Sequence, residues 1–382
     1  MFKHLDDAPS ASDPRATWDA YWRGLVAQPR SLALPIAGKT TELVKLAMNQ
    51  SWPELVTTST GAIVLGVTRL DDAPLDGHPD GIALLDLASP VRSWFVTHAQ
   101  EGVDAASGSA GTAVIFADQG MTTGWSFATG TSEHVIVDRS EHATHAAIAA
   151  SDSGYAVVYI KPKTSTLFAL ALDPTGKPRG PAAQLPVPSP PITKWHRGIH
   201  PLALAHTSKG WIAIVVTEVG LVADTFDDSF EPALAHTTFL ANDNNLVEPR
   251  VVVAKDRAFL AWRNHSNGAL LTRIMTVDAR IHGGEAAPPE ATGSEVTLVS
   301  KPIALDDGGF AVAWIEAEHE VHVGRWNAAG SRIGTGLVAV SGAAPFTLAL
   351  VAQGKALVAT FEDESRYPYS LVARRVELDA LH

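Results

Sequence analysis

The stretch "FAVAW", Phe310 to Trp314, alternates large and small side chains. Phe310, Val312 and Trp314 fall on one face of a strand, Ala311 and Ala313 on the other. Both faces are apolar. A strand with one wet face would alternate apolar with polar residues, so this pattern predicts strands buried between two neighbouring sheets. "LFALALD" from Leu167 and "WIAIVV" from Trp211 are written the same way.

The pattern recurs in longer blocks. "GGFAVAWIEAEHEVHVGRWNAAGSRIG", Gly308 to Gly334, has a near-double in "GYAVVYIKPKTSTLFALALDPTGKPRG", Gly154 to Gly180. Each predicts a strand, a polar turn, a second strand and a turn bounded by glycines. "RAFLAWRNHSNGALLTRIMTVDARIHGG" is a third copy, and "KGWIAIVVTEVGLVADTFDDSFEP" a fourth whose turn has degenerated. A further short strand precedes each copy, often introduced by proline: His200-Pro201, Glu248-Pro249, Lys301-Pro302, Ala344-Pro345 and, far upstream, Trp52-Pro53. Units then begin near residues 53, 103, 145, 201, 249, 302 and 345. A period of roughly 40–50 residues with several short strands per unit predicts an all-β, seven-bladed β-propeller.

The ends bear on closure. The last unit has room for three strands before His382, so its fourth must come from elsewhere. "RSLALPIAG", Arg30 to Gly38, matches the outer strands of other units. Strand 31–37 is expected to pair with "SLVARRVEL" and close the ring, removing exposed sheet edges. Ahead of it, "SDPRATWDAYWRGLVAQP" predicts an amphipathic α-helix: Asp13 as cap, Pro14 in the first turn, and Trp18, Trp22, Leu25 and Val26 at helical spacing. The expected division is an N-terminal extension over 1–29 and one propeller domain over 30–382.

The unit G-[FYW]-x-V-x-W, strand, D-x-x-G-x-x-x-G resembles a repeat of bacterial seven-bladed β-propellers and of large repetitive secreted bacterial proteins. The resemblance covers residues 53–382. It implies the fold and not a function, because propellers include enzymes, lectins and docking platforms. No repeated Trp-Asp ends the strands, and no repeated Ser-x-Asp-x-Gly-x-Thr-Trp box occurs.

Composition narrows the chemistry. The 382 residues are 46% hydrophobic and carry a formal charge of −12. That balance supplies a large core and argues against nucleic acid or an anionic membrane surface as partner. There is no cysteine, which excludes disulfides, thiolate metal sites and cysteine nucleophiles. No apolar run reaches the ~20 residues of a membrane span. "MFKHLDDAPSASDPR" lacks an apolar signal core, so the expectation is cytoplasmic for a complete sequence, or secreted or cell-envelope where a signal was removed.

Candidate sites divide into decoys and one constellation. Gly38-Lys39-Thr40 mimics the end of a phosphate loop, but the required upstream glycine is Ala33. "HEVH", His319 to His322, falls one residue short of a zinc-helix motif. No Gly-x-Ser-x-Gly elbow occurs. The constellation follows from the fold: residues just before each innermost strand ring the mouth of the central channel. They are Trp52, Glu101 or Gly102, Thr144, His200, Glu248, Lys301 and Ala344, with His145 in the proline position of its unit. Trp195 and His196, in the long insertion "PVPSPPITKWHRG", could overhang that mouth. The principal expectation is a non-enzymatic protein that binds a glycan or a protein there. The alternative is a hydrolase or lyase using His200, Glu248 and His145, with a channel-bound metal ion as its lesser variant; no cofactor is otherwise expected.

Overall fold

The structure, a computed structural model, describes residues 39–45, 54–57, 62–68, 81–86, 91–96, 99–109, 111–118, 121–128, 133–138, 145–161, 164–186, 200–229, 238–241, 246–277, 290–292, 295–341, 345–365 and 370–381. These residues form seven antiparallel sheets. The first sheet holds Glu54–Thr57, Ala62–Thr68, Gly81–Asp86 and Val91–Val96. The second holds Ala99–Gly108, Gly111–Asp118, Met121–Ala128 and Glu133–Asp138. The third runs from His145–Ser151 through Gly154–Lys161 and Thr166–Leu172 to Ala183–Leu185. The fourth comprises Leu202–Thr207, Gly210–Thr217, Gly220–Phe226 and Thr238–Ala241. The fifth comprises Leu246–Ala254, Arg257–Asn264, Leu270–Thr276 and Glu290–Thr292.

In the sixth sheet the first strand is split into Val296–Val299 and Ile303–Ala304, both paired with Phe310–Glu316; Glu320–Trp326 and Arg332–Ser341 follow. The seventh is built from Pro345–Gln353, Ala356–Asp363 and Ser370–Glu377, with Thr40–Lys45 as its outer strand. First strands pack against one another from sheet to sheet, and that of the seventh sheet packs against that of the first. The amide of Leu350 donates to Thr57 Oγ1 at 3.2 Å across this last junction.

The alternation read from the sequence is what builds the stack. Phe310, Val312 and Trp314 join Phe259, Ala261 and Ile274 of the fifth sheet. Ala311, Ala313 and Ile315, from the other face, join Leu348, Leu350 and Leu357 of the seventh. Large side chains on one face and small ones on the other let successive sheets approach without voids.

Two glycines show why the repeat begins its second strand as it does. Gly154 and Gly210 have φ of 145° and 117°. A Cβ there would lie 2.3 Å from the Leu172 carbonyl oxygen and 2.1 Å from that of Phe226, respectively. The third strand thus ends against bare backbone. The turn that follows is held by a side chain: Asp173 Oδ1 accepts from the amides of Thr175 and Lys177 at 2.8 and 3.0 Å. Asn327 Oδ1 does the same for Ala329 and Ser331, at 2.9 and 3.0 Å.

One expectation is corrected. The strand on "SLVARRVEL" is Thr40–Lys45, paired from Thr40↔Arg374 to Lys45↔Ser370, and it displaces strand 31–37 from that role. "TTELVK" carries the period-2 pattern an outer strand needs, with Leu43 buried and Thr40 and Glu42 exposed. Residues 31–37 and the helix expected after Asp13 lie outside the described residues.

Candidate functional site: the inner strands and their mouth

Proline decides how the inner strands begin. Pro249 has no N–H to give the ladder, and pairing in the fifth sheet jumps from Val247↔Arg263 to Arg250↔Ala261. The jump turns Glu248 inward, with φ of 55° and only 2% exposure. Its Oε2 lies 3.8 Å from Arg263 Nε, an ion pair without hydrogen-bond geometry, and both atoms lack a hydrogen-bond partner.

Pro302 has the larger effect. Pairing in the sixth sheet moves from Val299↔Trp314 to Ile303↔Ala311. The ladder between them is kept by Ser300, whose amide donates to the Ala313 carbonyl at 2.9 Å while its Oγ accepts from the Ala313 amide at 3.0 Å. Lys301 is therefore not at the mouth, as expected, but at a break part-way along the inner strand. Its Nζ reaches Asp104 Oδ1 at 3.4 Å and the Ala105 carbonyl at 3.3 Å, both on the second sheet. The second and sixth sheets are not neighbours in the stack, so this contact spans the space the inner strands enclose. Asp104 also joins the second sheet to the third: Oδ2 accepts from the Ile148 amide and Oδ1 from the Ala105 amide, each at 2.9 Å.

The other predicted residues fall as follows. His200 is 7% exposed and is separated from Leu202–Thr207 by Pro201, whose carbonyl accepts from Val216 at 2.9 Å. His145 opens the third sheet's inner strand opposite Ile160 and is half-buried. Glu101 sits opposite Ala117, between two register shifts of the second sheet. Trp52, Thr144, Trp195, His196 and Ala344 lie outside the described residues. Nothing described brings His145, His200 and Glu248 to one point.

Two further groups were passed over in the sequence. Asp104 stands alone in the apolar run "VDAAS", and Arg263 ends "FLAWR" where the other copies carry Ile160 or Ile315. A charge inside an apolar strand was the available signal. "EHEVH" divides at the hairpin: His319 lies in the exposed turn, whereas His322, within Glu320–Trp326, stacks on Trp314 at 5.3 Å between centroids. His322 Nε2 meets Glu320 Oε2 at 3.0 Å and Glu316 Oε2 at 3.6 Å. Among the described residues no group of three or more His, Asp or Glu is arranged to hold a metal ion. No described helix is long and apolar enough to cross a membrane.

No protein-family model matches the chain, and no curated protein matches it in sequence. Solved structures do. The β-propeller domain of Cps50 (Swd1) from Myceliophteria thermophila superposes with a TM-score of 0.52 at 11% identity, over 87% of this chain and 99% of that one. The WD40 repeats of RRP9 give 0.50 at 10% identity, over 90% of this chain and 100% of that one. The fold is a β-propeller. A sialidase from Trypanosoma rangeli is matched more loosely, with a TM-score of 0.41 at 11% identity, over 91% of this chain and 58% of that one. Within the propeller, the strands that open each sheet line the axis, and the Lys301–Asp104 contact crosses it.

Proposed function

We propose that the protein is a non-enzymatic interaction propeller: seven blades closed by Thr40–Lys45, binding a protein partner on the face where the inner strands begin. One observation carries this reading. The charged groups of the inner strands are held apart, Glu248 beside Arg263 and Asp104 on the Ile148 and Ala105 amides, rather than converging on a point where a proton could be passed to a substrate. A protein fits better than a glycan. Sugar rings favour exposed aromatic faces, whereas among the described residues Trp211, Trp262, Trp314 and Trp326 are buried. The hairpins on this face instead offer Glu218, Val219, Glu318 and His319 to solvent.

The test compares the two faces. Partner capture is measured with a Glu218→Arg/Glu318→Arg variant and with a Lys209→Glu/Asp306→Lys variant of the opposite face. Loss with the first pair alone supports the reading; loss with the second pair alone overturns the choice of face. Turnover of glycoside or ester substrates that disappears in folded His200→Ala and Glu248→Ala variants would replace it with the hydrolase.

A further inference from the structure

Equivalent positions of the repeat put three charged residues at one level of the channel. Ile115, Ala261 and Ala313 hold the same place in "GTAVIF", "RAFLAW" and "GFAVAW". Their ladder partners are Asp104, Arg250 and Ser300, the last adjoining Lys301. At the same level the third, fourth and seventh sheets carry Ala147, Ala203 and Ala349, opposite Val158, Ile214 and Thr360. Methyl groups there leave the axis to the longer side chains.

The two cations of this level are under-used. Lys301 has three N–H donors and, among the described residues, only two long contacts, at 3.4 and 3.3 Å, and its side chain keeps 23% exposure. Asp104 does not depend on it, since two backbone amides already donate to its carboxylate. Arg250 Nε is buried without a hydrogen-bond partner, and among the described residues its guanidinium makes no ion pair. The strand bearing Arg250, Leu246–Ala254, packs against Ile303–Ala304, which begins two residues after Lys301.

We propose that Arg250 and Lys301 form a carboxylate-binding site in the channel, which receives one acidic group of a partner peptide. The site rests on the interaction reading above and names the chemistry of its ligand. A carboxylate suits both cations: the guanidinium offers a planar fork and the ammonium a point charge. Exposed Glu218, Glu295 and Glu318 on the same face repel a polyanion, so the carboxylate arrives on a peptide of neutral or positive overall charge.

A phage-displayed library of random dodecapeptides is panned on the wild-type protein, and the selected peptides are titrated against Arg250→Met, Lys301→Met and, as a control on the opposite face, Lys209→Met. The expected result is enrichment of an Asp, a Glu or a free C-terminus at one position. Affinity then falls tenfold or more in both channel variants and is unchanged in the control. Amidated and free-acid versions of each peptide separate a side-chain carboxylate from a terminal one. Selected peptides without an acidic group, or peptides that bind both channel variants as tightly as wild type, overturn the carboxylate site while leaving the interaction reading in place. No enrichment at all overturns both. Thermal unfolding accompanies each variant. Arg250→Met, which breaks no described hydrogen bond, keeps the test decisive if Lys301→Met fails to fold.

Discussion

Glu362 is the least comfortable residue of the seventh sheet, and its discomfort can be measured. It is fully buried, and neither carboxyl oxygen has a hydrogen-bond partner. Phe361 and Ala359 pack toward the sixth sheet, so Glu362 and Thr360 take the other face, toward the junction with the first. Thr360 and Thr347 are also buried there with unsatisfied hydroxyls. Burial first, and the charge of Glu364 second, push the Glu362 carboxyl up to about 8 from an ordinary 4.5. The folded protein therefore keeps a proton that the unfolded chain releases above its ordinary value. Stability falls as pH rises through that interval and levels off above about 8. At about 1.4 kcal/mol per unit, the loss between pH 5 and pH 8 is roughly 3–4 kcal/mol from this residue alone. Glu362→Gln removes the titration while keeping the shape. Urea unfolding of both proteins from pH 5 to pH 9 should give curves that diverge steadily, the variant becoming the more stable by a few kcal/mol at the alkaline end. Curves that stay parallel would refute the reasoning and show the carboxylate to be compensated in the fold.

Three other expectations come from packing and charge. Trp314 is 1% exposed, donates to Glu316 Oε2 at 3.0 Å and lies edge-on to Trp326 at 6.5 Å; Trp314→Ala should cost about 3–5 kcal/mol in chemical denaturation. Gly210→Ala forces a Cβ to 2.1 Å from the Phe226 carbonyl and should cost about 2–3 kcal/mol. Gly354→Ala, at a φ of 60° with open space around it, should cost only about 1–2 kcal/mol, so unequal melting shifts for the two are the check. Glu248→Gln leaves Arg263, 12% exposed, without its counter-charge and should cost about 3–5 kcal/mol, much of which Glu248→Met/Arg263→Met should recover.

The blades were legible because their residues answer to one demand repeated many times. A sheet squeezed between two others must be apolar on both faces, and "FAVAW", "WIAIVV" and "LFALALD" record that without reference to anything distant. The bare second-strand starts at Gly154 and Gly210 and the Asp173 and Asn327 turns are equally local, so the copies align by eye. The strand beside Ser370–Glu377 lies a few residues from its expected place for the same reason in reverse. An outer strand has one face to pack and no fixed turn on its far side, so "LALPI" and "TTELVK" both satisfied the pattern and only pairing with Ser370–Glu377 chose between them.

The site obeyed a different logic. Prolines marked the inner strands correctly, but their consequence depends on where in the ladder the missing N–H falls. At Pro249 the skipped pair swings a carboxylate under Arg263; at Pro302 it splits the strand and sends Lys301 across the axis to Asp104. Arg263 belongs to the same unit as Glu248, but Asp104 is 197 residues from Lys301, a separation no local pattern encodes. What the inner strands share is backbone. Each turns an unpaired edge of amides and carbonyls toward the channel, and those groups must be satisfied there. Asp104 accepts from Ile148 and Thr57 from Leu350, so side chains of one sheet take up amides of a neighbouring one. A channel lined in this way is polar by necessity before any ligand is considered. The residues that merit attention are accordingly those left over once the backbone is served, Arg250 and Lys301, rather than every polar residue near the mouth.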